Sequence, residues 1–229
     1  MGAGGVAGAS GPRIEGRGMK VPPNVHVISH PLIQEKLTHA RDKRVDHQGF
    51  RRYLSEIAAL MVFELTRDYP VEPVEVDTPL GQAVGTRLAA DITVVPVLRA
   101  GLGMADGVLS LIPSARVGHL GIYRDETSLE PVVYYNKLPP DVADTEVIIV
   151  DPMLATGGSL TVAIAAIKRM GATRIKLLCL VASPEGIRRV VAEHPDVPIY
   201  TAAIDQRLDR DGYIVPGLGD AGDRLFGTR

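Results

Sequence analysis

Cysteine, tryptophan and other aromatic residues are scarce in this sequence, which has one cysteine, no tryptophan and an aromatic content of 4%. A single cysteine cannot support a framework of disulfides. Cys179 lies in the apolar run 177–182, which indicates a buried strand residue. No base stands beside it in the sequence, so we do not expect it to be a catalytic thiol.

An excess of charge is also missing, because 25 Lys and Arg residues against 27 Asp and Glu residues give a formal net charge of -2. Such a chain has no general attraction to nucleic acid or to an anionic membrane surface. No apolar run approaches the roughly 18 residues needed to cross a bilayer. We therefore expect a soluble, cytoplasmic protein whose partners are small molecules rather than nucleic acid or membrane.

The first 18 residues are rich in glycine and alanine and contain Ile14, Glu15, Gly16 and Arg17, a pattern typical of an engineered protease-cleavage site. They lack the apolar core of a signal peptide. We expect residues 1–18 to be a disordered expression tag and linker. The remaining residues, 19–229, suit one globular α/β domain, since 45% of the chain is hydrophobic.

The stretch 147–160 carries the clearest chemical signal. Residues 147–150 are a short apolar run that predicts a buried strand, and residues 160–170 have helical spacing. The loop between them lies at the carboxyl end of a strand and at the start of a helix. In an open parallel sheet ligands bind at this position, where the first amides of the helix attract anions.

The residue types in this loop favour a sugar phosphate. Gly157 and Gly158 allow the backbone to approach an anion, and Thr156 and Ser159 can add hydroxyl donors. Asp151 would repel a phosphate in direct contact, so we expect it to accept hydrogen bonds from ribose hydroxyls. The loop lacks the Walker lysine and the three-glycine dinucleotide pattern. A generic strand-to-helix connection with a glycine turn is the alternative interpretation.

Two further segments could contact the same ligand. Arg99 follows the predicted strand 92–98 and precedes Gly101 and Gly103, which suits a diphosphate, although a surface arginine before a turn is the alternative. The glycine-rich segment 213–227 leaves backbone groups uncovered that could pair with the edge of a pyrimidine-2,4-dione. A partly disordered tail is the alternative there.

The other elements follow from periodicity and turn residues. They are a helix with Ser29 as its N-cap, a helix from 50 to 65 after a break at Asp46, an edge strand at 71–79, a short helix at 80–88, a hairpin of strands 117–123 and 131–135 with a tip at 127–130, strands at 174–182 and 199–204, and a helix at 187–193. This alternation predicts a mostly parallel sheet with right-handed crossovers.

The run Asp151 to Ser159 after its apolar strand resembles the phosphoribosyl diphosphate (PRPP) loop of type I phosphoribosyltransferases. Pro152 stands where most relatives have a second acid, a form typical of the uracil phosphoribosyltransferase family. The run Val97 to Leu102 resembles the pyrophosphate loop of that family, and residues 213–224 resemble its uracil-binding signature. The resembling motifs occur in family order from about Ser29 to the chain end.

The resemblance implies an α/β, type I phosphoribosyltransferase-like fold in which helices flank a mostly parallel central sheet, with a β-hairpin arm at about 120–138 and a C-terminal hood at about 205–229. It implies transfer of ribose 5-phosphate from PRPP to uracil, giving UMP in pyrimidine salvage. It also implies a non-proline cis peptide in the Arg99 loop.

The residue roles implied by the resemblance form three groups. Expected catalytic residues are Asp220, Arg99, Arg124 and Asp151. Expected PRPP contacts are Arg99, Arg124, Asp151, Pro152, Met153, Leu154, Ala155, Thr156, Gly157, Gly158, Ser159 and Asp220. Expected uracil contacts are Ile214, Gly219, Asp220 and Ala221.

The resemblance further implies Mg²⁺ carried with PRPP rather than on protein ligands, and it leaves open GTP as an activator. A homodimer or a higher homo-oligomer is expected. An RNA-binding regulator of pyrimidine operons on the same fold is an alternative of a different class, and a purine phosphoribosyltransferase is the alternative enzyme.

Overall fold

A computed structural model describes residues 20–124 and 131–228 of the chain. The strands and helices, in chain order, are β1 Val25–Val27, α1 Pro31–Arg41, α2 His47–Leu65, β2 Val71–Thr78, β3 Gly81–Leu88, β4 Ile92–Leu98, α3 Leu102–Leu111, β5 Arg116–Val117, β6 His119–Arg124, β7 Pro131–Lys137, β8 Glu146–Val150, β9 Met153–Leu154, α4 Gly158–Arg169, β10 Ile175–Ala182, α5 Pro184–Glu193, β11 Ile199–Ile204, β12 Arg207–Leu208, β13 Ile214–Val215 and α6 Ala221–Phe226.

The central sheet has the strand order β1-β11-β10-β8-β4-β6-β7. Its neighbouring strands are parallel except for β6 and β7, which form an antiparallel hairpin. Every residue of β8 and of β10 is buried. Strands covered on both faces need a nearly continuous apolar sequence rather than alternation, which both strands have apart from Glu146 and Lys176 near their starts.

Helices cover both faces of the sheet. One apolar cluster joins the sheet to α1, α2, α3 and α6 through side chains such as Phe50, Met104 and Leu225. A second cluster on the other face includes Leu160 of α4 and Ile187 of α5. The expected α/β fold with a mostly parallel, helix-flanked sheet is confirmed, and the hairpin of β6 and β7 lies where the arm is predicted.

The short helix predicted at 80–88 is wrong. Residues Gly81–Leu88 form β3, which pairs antiparallel with β2 and closes its turn with a hydrogen bond from Thr78 Oγ1 to Gly81 O of 2.6 Å. Leu80 is fully exposed and Val84 is 72% exposed, so the apolar residues here have no core to face as a helix would need. β-branched residues favour the extended form that the segment adopts.

Helix starts also differ from the prediction. The N-cap of α1 is His30 rather than Ser29, because His30 Nδ1 accepts a hydrogen bond from Leu32 N at 3.2 Å while Pro31 takes the first helical position. Helix α4 begins at Gly158, two residues before the predicted start, and α5 begins at Pro184, capped by Ser183. No helix in the described ranges is both long and apolar enough for a bilayer.

Residues 205–228, the described part of the predicted hood, are attached to α1 and to its connection with α2 by two arginines. Arg41 donates to both carboxylate oxygens of the buried Asp205 at 2.7 Å, and Asp205 also accepts from Gly217 N at 2.8 Å. Arg224 donates to the backbone oxygens of Ala40, Leu218 and Asp42 and lies 4.1 Å from the centre of the Phe50 ring. The position of the C-terminal segment therefore depends on buried, charge-assisted hydrogen bonds.

Replacement of Asp205 by alanine should destabilise the protein strongly. The Arg41 guanidinium would remain mostly buried without its anion, and breaking such a pair costs about 3–5 kcal/mol. Urea unfolding would measure the loss. The control is Asp196→Ala, which removes the exposed partner of Lys168 and should cost less than about 1 kcal/mol. Equal losses in the two variants would contradict the anchoring role.

Candidate active site

The loop after β8 is held along the sheet before it turns into α4. Met153 and Leu154 form β9, which pairs in parallel with Val181 and Ala182 of β10. Pro152 O accepts hydrogen bonds from Leu180 N at 3.2 Å and from Val181 N at 3.1 Å. Residues 152–154 thus continue the sheet, and Pro152 and Leu154 are buried.

Asp151 lies at the point where the loop leaves β8 and is half-buried there. Burial raises the pKa of its carboxyl group to about 7, and the hydrogen bond from Met153 N to Oδ1, 3.2 Å long, acts in the opposite direction. Burial penalises the charged form, so the carboxylate gains from any ligand that donates hydrogen bonds to it. Ribose hydroxyls are donors of this kind.

The two glycines of the loop also serve packing. Gly157 has a φ of +79° and caps α4. A Cβ on Gly157 would lie 3.0 Å from Gly186 O, and a Cβ on Gly158 would lie 3.2 Å from Arg189 Nη1, both in α5. The absence of side chains therefore lets α5 approach the loop closely, next to the amides at the start of α4, where an anion would be favoured.

The Arg99 loop lies directly against the end of β8. Pro96 of β4 is in register with Val150 of β8, and a Cβ on Gly101 would come within 2.4 Å of Val150 O. The peptide bond between Leu98 and Arg99 is cis, as expected. The loops after β4 and β8 therefore share one edge of the sheet, as parallel pairing requires.

Arg99 reaches from this edge to α6. Its Nη2 lies 3.2 Å from Asp223 Oδ1, and its guanidinium carbon lies 5.7 Å from the centre of the Phe226 ring. The side chain is 54% exposed. Arg99 consequently connects the sheet edge with the C-terminal segment and keeps its charge accessible to a ligand.

The C-terminal segment presents its backbone to this region. Ile214 and Ala221 are buried, so their side chains belong to the core and only their backbone groups could meet a ligand. Gly219 is exposed and has a φ of +72°. Within residues 20–124 and 131–228, its amide and carbonyl have no hydrogen-bond partner. Such groups can recognise the edge of a flat heterocycle.

Asp220 has a structural function that the sequence reasoning missed. Its Oδ1 accepts from Asp223 N at 2.9 Å and caps α6, and its Oδ2 accepts from the Tyr213 hydroxyl at 3.4 Å. The sequence contains a signal for this function, because aspartate is among the preferred N-cap residues and Asp220 directly precedes α6. Both oxygens of this carboxylate are therefore engaged.

A model of the uracil phosphoribosyltransferase family matches residues 27–228. The chain belongs to this family. Curated uracil phosphoribosyltransferases from Halalkalibacterium halodurans and Geobacillus kaustophilus are each 58% identical to it over 206 residues, which are 90% of this chain and 99% of each relative. A solved structure of a protein from Aquifex aeolicus matches with a TM-score of 0.85 at 40% identity, over 88% of this chain and 97% of that one. The two curated relatives are enzymes, which does not favour the RNA-binding alternative.

The uracil phosphoribosyltransferase motifs converge in this chain. The structure brings together the loop 151–159, Arg99 and the segment 219–223. The backbone of Arg124 ends β6, three residues beyond Gly121, which is in register with Leu98 of β4. Arg124 thus lies at the same edge, but its side chain, the predicted hairpin tip at 127–130 and the predicted tag at 1–18 are outside the described residues.

Cys179 is buried in β10, as the sequence predicts. Burial raises the pKa of its thiol to about 12, which keeps it protonated at neutral pH. Within the described ranges, no group of three or more His, Cys, Asp and Glu residues could hold a metal ion. The roles of the individual residues in contacting PRPP and uracil stay predictions.

Two residues that support the loop were missed by the sequence reasoning. Ser183 Oγ donates to Ala155 O at 2.6 Å and accepts from Gly186 N at 2.9 Å. A Cβ on Gly186 would lie only 2.4 Å from Ala155 O. The pair Ser183 and Pro184 is a helix-start signal that could have placed the beginning of α5 correctly.

Replacement of Gly186 by alanine should destabilise the protein by about 1–3 kcal/mol. The new methyl group would collide with the backbone oxygen of Ala155, which cannot move away unless the loop shifts. Chemical denaturation measures the change. Gly85→Ala in β3 is the matched control, since its Cβ would meet nothing closer than 3.9 Å. If Gly186→Ala were as stable as the control, the close contact between α5 and the loop would be wrong.

Proposed function

We propose that this chain transfers the ribose 5-phosphate group of PRPP to N1 of uracil, giving UMP and diphosphate in pyrimidine salvage. The observation that carries the proposal is the convergence of three segments on one edge of the sheet. The loop 151–159 suits a ribose phosphate, the Arg99 loop suits a diphosphate, and the segment 219–223 suits a flat base. A cytoplasmic location and a homodimer or higher homo-oligomer are part of the proposal.

PRPP would lie across the two loops of the sheet edge. The amides at the start of α4, with Thr156 and Ser159, would hold the 5-phosphate, since a helix N-terminus favours anions. Asp151 would accept hydrogen bonds from the ribose hydroxyls. Arg99 would exchange its contact with Asp223 for a contact with the diphosphate. Its guanidinium is planar and permanently charged, which suits phosphate oxygens. Arg124 is proposed for the same group.

Uracil would be recognised by the backbone around Gly219, with Ile214, Asp220 and Ala221 completing the pocket. Uracil has two acceptor carbonyls and two donor NH groups, which amides and carbonyls of a fixed backbone can match. Cytosine places an amino donor where uracil has a carbonyl. A backbone amide facing it would stay unpaired, at a cost of about 1–3 kcal/mol.

The reaction needs placement and charge stabilisation rather than a covalent nucleophile. As C1 of the ribose loses diphosphate it acquires oxocarbenium character, and N1 of uracil attacks from the opposite face with inversion. The N1 proton passes to water as the new bond forms. Asp220 has hydrogen-bond donors on both carboxylate oxygens and lies beside the proposed base pocket. We assign it electrostatic stabilisation of the cationic ring.

Mg²⁺ is proposed to travel with PRPP, held by the substrate's own oxygens. Asp220 is engaged as the cap of α6, which fits an ion that draws most of its ligands from PRPP. When bound, it would offset the charge of the departing diphosphate. Activation by GTP stays a prediction from the resemblance, tested by adding GTP to the assay below.

The direct test is chromatographic detection of UMP from uracil, PRPP and Mg²⁺. Cytosine, hypoxanthine and guanine, assayed side by side, should give no nucleotide at comparable rates. Product from a purine instead of uracil would support the alternative enzyme. Salt-sensitive binding of an RNA leader without any UMP formation would support the regulator.

The raised pKa of Asp151 predicts a pH dependence. Below its pKa of about 7 the group is protonated and loses acceptor capacity, so kcat/KM for PRPP should fall as pH decreases through 7 and level off above it. Asp151→Asn should lower kcat/KM at least about tenfold at high pH and should lack this acidic limb. PRPP's own ionisation affects both proteins equally, so the difference between the profiles isolates Asp151. Identical profiles would remove Asp151 from the site.

A further inference from the structure

The phosphate loop contains no cation of its own. Residues 151–161 include neither lysine nor arginine. Its positive potential therefore comes from the backbone amides at the start of α4, whose partial charge is about half an elementary charge. A phosphate monoester carries close to two negative charges at neutral pH, so a nearby guanidinium would strengthen its binding.

Arg189 of α5 packs on this loop. Its Cβ lies 3.2 Å from the place where a Cβ on Gly157 would be, and its Nη1 lies 3.2 Å from the corresponding point on Gly158. The same point on Gly158 lies 3.7 Å from Thr156 Oγ1. The guanidinium and the Thr156 hydroxyl are therefore within about 7 Å of each other, inside the Debye length of about 8 Å at physiological ionic strength.

The remaining contacts of Arg189 leave its charge available. In the described part of the chain, its side chain donates only through Nε, to Glu193 Oε1 at 3.0 Å. Both side chains are more than two-fifths exposed, at 41% and 47%. Exposed pairs one helical turn apart contribute little, so a phosphate in the loop can compete with Glu193 for the guanidinium.

We propose that Arg189 is a binding residue of the 5-phosphate site, which supplies the positive charge that the loop itself lacks. The inference rests on the proposed function and deepens it, because it assigns part of the affinity for PRPP to a helix outside the PRPP motif. The charge acts on the phosphate at the start of α4, remote from the reacting C1. It therefore affects binding of PRPP and leaves the chemical step unchanged.

The neighbouring Arg188 offers a matched control. It is on the same helix, is 61% exposed and pairs with Glu185 at 3.7 Å, so its removal changes the net charge equally. Arg189→Gln should raise KM for PRPP about 3- to 10-fold, as expected for one charge about 7 Å away in a partly solvated setting. The values of kcat and of KM for uracil should change less than about twofold, and Arg188→Gln should change all three by less than about twofold.

Two further measurements separate charge from structure. Arg189→Lys keeps the charge and should recover most of the affinity for PRPP, and added salt should reduce the difference between wild type and Arg189→Gln. Three results would overturn the proposal. They are an equal rise in KM for PRPP in Arg188→Gln, an unchanged KM for PRPP in Arg189→Gln, and a fall in kcat alone in Arg189→Gln.

Inorganic phosphate gives a readout that does not need turnover. It should bind wild type more tightly than Arg189→Gln by a similar factor, measured by calorimetry or by protection against thermal unfolding. If wild type formed no UMP, the proposed function would fail while this comparison still tested the role of Arg189. Equal phosphate binding by the two proteins would overturn the inference even if UMP were formed.

Discussion

The parallel pairing of β4 with β8 is the constraint on which the site depends. Because Pro96 and Val150 are in register, the two strands end together and their loops leave the sheet side by side. The contact is close enough that Gly101 cannot carry a Cβ without meeting Val150 O at 2.4 Å. Sheet geometry thus sets the distance between the residues proposed for the diphosphate and those proposed for the ribose phosphate.

The third part of the site is held by charge rather than by the sheet. The C-terminal segment is bound to α1 through Arg41 and Asp205, and Arg224 adds three bonds to backbone oxygens. Buried ion pairs gain little net stability but impose a defined geometry where alternatives would leave a charge unpaired. Here that geometry places α6 beside Arg99, whose Nη2 lies 3.2 Å from Asp223 Oδ1, next to the proposed base pocket.

Several residues have a structural role beside the ligand role proposed for them. Gly157 and Gly158 make room for α5, and Asp220 caps α6 beside the proposed base pocket. Burial raises the pKa of the Asp151 carboxyl group to about 7. A ligand that donates hydrogen bonds would stabilise its ionised form, so the cost of burying the carboxyl group is recovered on binding.

The sequence by itself determined the elements whose signals are local. Strands 92–98 and 199–204 were predicted with their exact bounds, since long buried apolar runs admit few alternatives, and the motif residues around Asp151, Arg99 and Gly219 could be named from residue types and resemblance. The segment 80–88 was predicted wrongly, because its apolar residues suggested a helix while no core lies beneath them. Only the tertiary structure decided the partners of Arg99, Asp205 and Arg189. Their contacts join residues on different elements, and local spacing holds no information about which surfaces will meet.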